Sequence, residues 1–320
     1  MQAVILAGGR GSRLRPFTDH CTKAMAPILG KPIAFRVMEQ MMACGLRDFI
    51  LVTNPNDLTI EPYFKNIAEE FTIHIRFVPQ PKQLGMGHAL LTAAPFIEDD
   101  FILSACDNLV KDNVMPEMLR CFQEEGTNAV LLLKTVLPEG VSATAIVEFD
   151  EQGKEIINIL EKPAIEEAPT DIASLPLYVF KQVYLDYLPE VKASIRGEIE
   201  MQDAMRAMMN DLGGYFGVHT DWRLTLTTPQ DLFEINQYFL KKQQPATIAS
   251  SAVIAPSAQL IAPYVISEGV EISANTVVGP NVYIDTNCKI EENAHIHNSL
   301  LMLGNTLAKS EVLESEIRYG

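Results

Sequence analysis

The 320-residue sequence contains a single tryptophan and only five cysteines. The cysteines are scattered and show none of the spacings of a metal-binding motif: Cys21, Cys44, Cys106, Cys121 and Cys288. Isolated cysteines of this kind predict reduced thiols and a cytoplasmic location, and they exclude a disulfide scaffold.

Basic residues are also scarce. The chain has 25 Lys and Arg against 41 Asp and Glu, which gives a net charge of -16 and a pI of about 4.8. A nucleic-acid surface needs a clustered basic face, so no nucleic-acid partner is expected. A small anionic ligand remains compatible, because the charge near the N-terminus is locally positive.

Long apolar runs are missing as well. No stretch approaches the ~20 apolar residues of a membrane span, and the N-terminal run ends in glycine and arginine rather than in a signal-peptide cleavage site. No membrane partner is therefore expected. The hydrophobic fraction of 48% and charged fraction of 21% are typical of a soluble globular protein, and the length allows two domains.

The most informative stretch is the N-terminus. An apolar run to Leu6 leads directly into Ala7-Gly8-Gly9-Arg10-Gly11. Glycines without a Cβ let backbone N–H groups approach an anion, and Arg13, Arg15 and Lys23 add positive charge opposite a polyphosphate. The run matches neither G-x-G-x-x-G nor the Walker spacing, so the two glycines alone favour a tight turn between a strand and its neighbour.

The wider string, residues 6–18 followed by 23–32, resembles the opening signature of the sugar-1-phosphate nucleotidylyltransferases, with Thr22 in place of a proline. The resemblance implies a catalytic Arg13 and Lys23 that hold the triphosphate and stabilise the departing pyrophosphate. It also implies a nucleotide-binding loop made of Leu6, Ala7, Gly8, Gly9, Gly11 and Arg13.

Apolar strand-like runs alternate with helical spacing through the first half of the chain, as at 33–42, 49–52, 73–78, 101–105 and 129–134. This alternation predicts an α/β domain, Rossmann-like, with a mostly parallel sheet and helices on both faces. Ligands of such sheets lie outside the carboxyl ends of the strands. The segments 8–15 and 80–88 and Asp107 each follow a predicted strand, so they are expected to share one crevice.

The segment from Gln80 to Ala89 resembles the base-binding segment of the family, and most closely that of the uridylyltransferase half of the bifunctional N-acetylglucosamine-1-phosphate enzyme. It implies that Gln80 and Gly85 read the base, with Met86 in place of a threonine. An amide offers both a donor and an acceptor to a base edge. Gln80 favours uracil or thymine, although guanylyl and adenylyl relatives share the opening string. His88 is interpreted as a packed helix residue.

Asp107 matches the metal-binding aspartate of the family, with Cys106 in place of a glycine. It is the expected nucleotide-site residue that holds Mg²⁺ between phosphates. Glu161-Lys162-Pro163 resembles the E-K-P motif of the sugar side. This implies that Lys162 contacts the sugar phosphate, as a third catalytic residue, and that Glu161 contacts a sugar hydroxyl. Residues 197–204 resemble a segment near the sugar or a subunit contact.

The sugar side departs from the family pattern. Thr144-Ala145 replaces Tyr-Gly, Ser174-Leu175-Pro176 replaces Asn-x-Gly, and Thr225 replaces the second metal carboxylate. A hydroxyl coordinates Mg²⁺ less strongly than a carboxylate because it brings no charge. Two interpretations stay open, an unusual alcohol-phosphate substrate and weakened catalysis.

The tail carries a six-residue period in two columns. One column is Ile254, Leu260, Ile266, Ile272, Val278, Ile284, Ile290 and Ile296; the other lies two residues earlier, and the phase slips after Asn298. Hexapeptide repetition predicts a parallel β-helix, and the family resemblance implies the left-handed form. The predicted domains are 1–244 for nucleotidyl transfer and 245–320 for the β-helix, which is expected to assemble a homo-oligomer. His295 and His297 are predicted to point outward, so acyl transfer in the tail is the minor alternative.

These observations predict transfer of a nucleotidyl group from an NTP, with UTP or dTTP favoured, to a sugar 1-phosphate, which yields an NDP-sugar and pyrophosphate. The attacking phosphate has a second pKa of about 6, so it needs no general base. Three alternatives remain: a regulatory relative that binds nucleotide without turnover, a cytidylyltransferase of a small alcohol phosphate, and a bifunctional enzyme with an acyltransferase tail.

Overall fold

The computed structural model describes residues 1–19, 21–194 and 197–319. The chain divides into two compact units. The first unit comprises Met1–Arg10 and Ala34–Thr225, and the second comprises Gly11–Ile33 and the chain from Leu226 onwards. The predicted boundary between residues 244 and 245 stays a prediction.

The described residues form seven α-helices, and the first of them covers the predicted helical spacing at 33–42. They are α1 Ile33–Ala43, α2 Ile60–Phe71, α3 Gly85–Ala93, α4 Val114–Phe122, α5 Pro138–Val141, α6 Met201–Leu212 and α7 Pro229–Gln243. Within the described part of the chain, none of them has the length and apolar character needed to cross a membrane.

The strands up to residue 224 belong to the main sheet or to short ribbons. They are β1 Gln2–Leu6, β2 Pro27–Ile28, β3 Lys31–Pro32, β4 Asp48–Thr53, β5 His74–Pro79, β6 Phe101–Ala105, β7 Leu109–Val110, β8 Ala129–Thr135, β9 Ala145–Phe149, β10 Ile156–Glu161, β11 Ile172–Phe180, β12 Tyr215–His219 and β13 Arg223–Leu224. The main sheet has the order β10-β9-β11-β6-β1-β4-β5, and β8 pairs with both β11 and β12.

The N-terminal part of this sheet is parallel, as the sequence predicts. β6, β1, β4 and β5 are parallel neighbours, and every residue of β1 is buried. A strand buried on both faces is typical of a sheet that helices cover on each side. This part confirms the predicted Rossmann-like arrangement and brings four strand ends to one edge.

The other part of the sheet is organised around β11, which runs antiparallel to β6, β8 and β9. Its pairing with β8 shifts register between Leu175 and Tyr178. Pro176 lies in that interval and has no N–H to donate, so the ladder breaks there for a simple covalent reason. Sequence alternation alone did not predict this antiparallel strand.

From residue 246 the chain forms short parallel strands: β14 Ala246–Ile248, β15 Val253–Ile254, β16 Gln259–Leu260, β17 Tyr264–Ile266, β18 Glu271–Ile272, β19 Val277–Val278, β20 Val282–Ile284, β21 Lys289–Ile290, β22 His295–His297, β23 Leu300–Leu301, β24 Thr306–Leu307, β25 Val312–Glu314 and β26 Ile317–Arg318. They build three parallel sheets, β14-β17-β20-β23-β26, β15-β18-β21-β24 and β16-β19-β22-β25.

The predicted apolar columns form the interior of this tail. Ile266, Ile272, Val278, Ile284, Ile290 and Ile296 belong to one buried cluster, together with Val270, Val282, Cys288 and Ala294 of the second column. The phase slip is also present. Ile272 pairs with Ile290, eighteen residues later, whereas Ile290 pairs with Leu307, seventeen residues later. His295 is exposed and His297 is half-buried beside Glu314, as the outward orientation predicts.

Truncation of a column residue is expected to destabilise the tail. Ile290 has no exposed surface, so Ile290→Ala should cost about 2–5 kcal/mol of unfolding free energy through lost burial and a cavity. The urea midpoint of tail unfolding measures this effect. Val312→Ala is the control, because Val312 is 59% exposed and its truncation should stay within about 0.5 kcal/mol. Equal effects of the two variants would contradict the assignment of the interior.

Candidate functional site

Four parallel strands of the first unit end at one edge, and the predicted nucleotide residues follow three of them. The Ala7 N–H donates to the Val52 carbonyl at 2.8 Å, and the Cys106 N–H donates to the Leu6 carbonyl at 3.2 Å. These bonds extend the ladder past Leu6 and fix where Gly8 and Asp107 begin. Ala7 and Gly8 are buried, while Gly9 is exposed. Within this unit, Gly8, Gln80 and Asp107 therefore lie at the carboxyl ends of the parallel strands, as predicted.

Gly8 and Gln80 are in direct contact. A Cβ placed on Gly8 would lie 2.6 Å from Gln80 Oε1, so the Gln80 amide would have to move away to make room for it. Gln80 itself is only 4% exposed, and its backbone N–H donates to the Thr53 carbonyl at 2.9 Å. The absence of a side chain at Gly8 thus lets the buried amide of Gln80 lie against the glycine-rich loop.

Residues 198–199 pack on the start of α3. The Ile199 N–H donates to the Leu84 carbonyl at 2.8 Å, and the Ile199 carbonyl accepts from the Gly87 N–H at 3.0 Å. A Cβ on Gly87 would lie 2.5 Å from that carbonyl oxygen, and one on Gly85 would lie 3.0 Å from Glu198 Cβ. Residues 198–199, which belong to the segment predicted to lie near the sugar or a subunit contact, therefore support the start of α3, where base binding is predicted. Close packing explains both glycines.

Asp107 lies two residues beyond β6 and is 4% exposed. The Thr225 hydroxyl donates to Asp107 Oδ2 at 2.8 Å. The short ribbon of β7 and β13 produces this proximity, because Leu224, which precedes Thr225, pairs with Leu109, which follows Asp107 by two residues. Thr225 thus stands beside Asp107, where the family pattern places a second carboxylate.

Arg223 is a site residue that the sequence reasoning missed. Its Nε donates to Asn108 Oδ1 at 2.6 Å, and its Nη2 donates to Thr225 Oγ1 at 3.3 Å. Burial lowers the pKa of Arg223, and the negative charge of Asp107 acts in the opposite direction. A half-buried guanidinium therefore orients Asn108 and Thr225, the two neighbours of Asp107. The sequence offered one signal for Arg223: it lies two residues before Thr225, the position that the family pattern assigns to a second metal carboxylate.

The sugar-side pair Glu161 and Lys162 is also adjacent in space. Lys162 Nζ lies 3.3 Å from Glu161 Oε1, and Lys162 adopts a left-handed backbone with φ 49°. The Lys162 N–H donates to the Thr144 carbonyl at 3.0 Å, and Glu161 pairs with Ala145 across the ladder. The two departures at Thr144 and Ala145 thus lie directly opposite the E-K-P motif, so they reshape the surroundings of that motif.

Tyr178 lies fully buried on β11 between the two predicted halves of the site. Burial raises the pKa of Tyr178 to about 12; the charge of Glu161 adds to this shift and that of Arg223 opposes it. The phenol therefore remains protonated and neutral at physiological pH. Ser174, which replaces the family asparagine, is buried on the same strand.

Gly11, Arg13 and Lys23 belong to the second unit. Gly11 has a φ of 71°, and a Cβ there would lie 2.8 Å from Lys23 Cβ. The Thr18 hydroxyl donates to the Gly11 carbonyl at 2.9 Å, and Arg13 is exposed. The fold of this segment brings Gly11 and Lys23 together. The joint action of Arg13 and Lys23 with Asp107 remains a prediction.

Comparison with known protein families gives two matches along the chain. Residues 2–242 match the family described as nucleotidyl transferase, and residues 260–317 match the GMPPB C-terminal domain. The first match covers more than half of the chain, and the second covers most of the tail strands.

Individual relatives agree with this assignment. The chain is 35% identical to a bifunctional protein GlmU of Methanococcus maripaludis, in an alignment that covers 100% of this chain and 73% of that protein. Against the GlmU protein of another strain, the identity is 34%, and the alignment covers 76% of this chain and 55% of that protein. It is 30% identical to UTP–glucose-1-phosphate uridylyltransferase AglF of Haloferax volcanii, over 77% of this chain and 100% of that protein.

Among solved structures, a UDP-glucose pyrophosphorylase complexed with UDP-glucose superposes with a TM-score of 0.67 at 25% identity, covering 75% of this chain and 98% of that one. Together with the strand-end site, these matches show that the chain belongs to the nucleotidyl transferase family and, within it, to the sugar-1-phosphate nucleotidyltransferases.

Proposed function

We propose that the protein transfers the nucleotidyl group of UTP or dTTP to a sugar 1-phosphate and releases pyrophosphate. The observation that carries this proposal is the edge of the parallel strands, where Gly8, Gln80 and Asp107 follow the ends of β1, β5 and β6, with the Gln80 amide packed on Gly8. Gln80 and Gly85 read the base, while Leu6, Ala7, Gly8, Gly9 and Gly11 form the loop around the nucleotide.

The donor atoms beside Asp107 fit one Mg²⁺ ion. Asp107 supplies a carboxylate and Thr225 a hydroxyl, 2.8 Å apart, and both are oxygen ligands of the kind Mg²⁺ accepts. Magnesium is commonly held by one or two carboxylates, with substrate phosphates and water completing its shell. Asp107 and Thr225 would hold the ion, which neutralises phosphate charge when bound. Arg223 keeps the Thr225 hydroxyl directed at Asp107.

The remaining residues align the reactants. Arg13 and Lys23 hold the triphosphate and stabilise the pyrophosphate as it departs. Lys162 positions the incoming phosphate, and Glu161, 3.3 Å from its ammonium group, binds a sugar hydroxyl. The sugar phosphate is already mostly dianionic at neutral pH, so the chain contributes alignment and charge rather than a general base.

We further propose that the three parallel tail sheets are the faces of a left-handed β-helix that assembles a homo-oligomer. Strand pairing at intervals of eighteen and seventeen residues around one apolar interior supports one coil per three strands. The outward His295 and His297 give no support to acyl transfer.

A substrate screen tests the proposed function. Purified protein and Mg²⁺ are incubated with each of UTP, dTTP, CTP, GTP and ATP, against glucose 1-phosphate, N-acetylglucosamine 1-phosphate and phosphocholine, and pyrophosphate release is measured. We expect release with UTP or dTTP and a sugar 1-phosphate. Release only with CTP and phosphocholine would replace the proposal with a cytidylyltransferase. Thermal stabilisation by nucleotide without release would indicate a regulatory protein.

A further inference from the structure

The amide of Gln80 has a second polar neighbour that the proposed chemistry leaves without a role. Gln80 Nε2 donates to the Gly85 carbonyl at 3.3 Å and lies 3.2 Å from His88 Nδ1. His88 is the fourth residue of α3, and it is half-buried. The amide nitrogen of the buried Gln80 side chain is therefore held by the Gly85 carbonyl and by His88 Nδ1, both at the start of α3.

These contacts determine which way the amide faces. A backbone carbonyl oxygen only accepts hydrogen bonds, so the atom of Gln80 that faces Gly85 must be the NH₂ group. The same NH₂ group carries a second hydrogen, which His88 Nδ1 accepts when the imidazole proton is on Nε2. The carbonyl oxygen Oε1 then faces Gly8, where a Cβ would lie 2.6 Å away.

We propose that His88 is a positioning residue for base selection: it holds the Gln80 amide with its oxygen toward the nucleotide, so the site accepts a hydrogen bond from the ring N–H of uracil or thymine. Cytosine presents an unprotonated ring nitrogen at the same edge, and two acceptors would then face each other. This inference rests on the proposed function, because it assumes that Gln80 reads the base.

The selectivity for uracil or thymine over cytosine follows from the free-energy cost of a buried acceptor, Gln80 Oε1, that has no hydrogen-bond donor opposite it. A site that is built to hydrogen-bond one group rejects an analogue that lacks it, because its buried polar atom is left without a partner. Without the His88 acceptor, the longer bond to Gly85 alone holds the amide, and the flipped orientation that suits cytosine becomes more accessible. His88 therefore acts on nucleotide binding through Gln80 and not on the transfer step.

Two substitutions separate the hydrogen bond from packing. His88→Phe keeps the ring but removes the acceptor, whereas His88→Asn places an amide oxygen close to the position of Nδ1. We measure the Kd of UTP and of CTP by calorimetry on the full chain, so the readout does not depend on turnover. His88→Phe is expected to reduce the preference for UTP over CTP at least fivefold, and His88→Asn should keep it within twofold of the wild type.

The outcomes distinguish the two proposals. An unchanged preference for UTP over CTP in His88→Phe, or an equal loss of this preference in the Phe and Asn variants, would overturn the role of His88. In either case, a wild-type protein that selects UTP would leave the proposed function standing. A wild-type protein that binds neither nucleotide, or that prefers CTP, would overturn both. If His88→Phe does not fold, as judged by circular dichroism, His88→Ala takes its place in the same comparison.

Discussion

Replacing Arg13 or Lys23 with alanine is expected to lower turnover well over tenfold. Each cation is assigned to the triphosphate, whose charge shifts toward the departing pyrophosphate in the transition state. Charged contacts made at that stage are typically worth ~3 kcal/mol. Pyrophosphate release at saturating substrate measures the loss, and a nucleotide-induced thermal shift shows whether ground-state binding falls as well.

Matched controls are available on helices outside the signature. Arg120 lies on α4 beside Glu124 and is exposed, so Arg120→Ala should leave turnover within twofold. Lys65 lies on α2, 2.8 Å from Glu61, and serves in the same way for the lysine. Unchanged pyrophosphate release in Arg13→Ala and Lys23→Ala would refute their assignment to the triphosphate.

Asp107→Asn should have the larger effect, a loss of roughly a hundredfold or more in kcat/KM. The substitution keeps the shape of the side chain and its contact with the Thr225 hydroxyl, but it removes the carboxylate assigned to Mg²⁺. It also leaves the half-buried Arg223 without the nearby negative charge. The dependence of the rate on Mg²⁺ concentration should shift upward in the same variant.

Two further variants test whether this effect is specific to the carboxylate of Asp107. Asp221→Asn removes an exposed carboxylate that pairs with Lys111 at 2.6 Å, and it should leave the Mg²⁺ dependence unchanged. Thr225→Val removes the hydroxyl beside Asp107 and should raise the Mg²⁺ requirement by less than Asp107→Asn does. An Asp107→Asn enzyme with the rate and Mg²⁺ dependence of the wild type would place the metal elsewhere.

The parts of the fold with a strong local signal could be predicted from the sequence. β1 and β4 each contain a run of four consecutive apolar residues, and the tail repeats one apolar position every six residues, so local hydrophobic pattern predicts the burial of both. The glycine-rich loop could be predicted from its string of glycines and its resemblance to the family signature, whereas the close contact of Gly11 with Lys23 is seen only in the structure.

The rest depended on contacts between residues distant in sequence. β11 runs antiparallel because of its partners β6 and β8, which no alternation of polar and apolar residues reveals. Arg223 reaches Asn108 only because β13 pairs with β7, more than a hundred residues earlier. Ile199 similarly supports Gly87 across a separation that periodicity does not describe.

The most direct test follows the α-phosphorus of the nucleotide. The protein is incubated with UTP labelled at the α-phosphate, glucose 1-phosphate and Mg²⁺, and the products are separated by chromatography. The account predicts that the label moves into a nucleotide sugar while one unlabelled pyrophosphate forms for each product. Label that stays in UTP, under conditions where UTP measurably binds, would contradict nucleotidyl transfer and leave a protein that only binds the nucleotide.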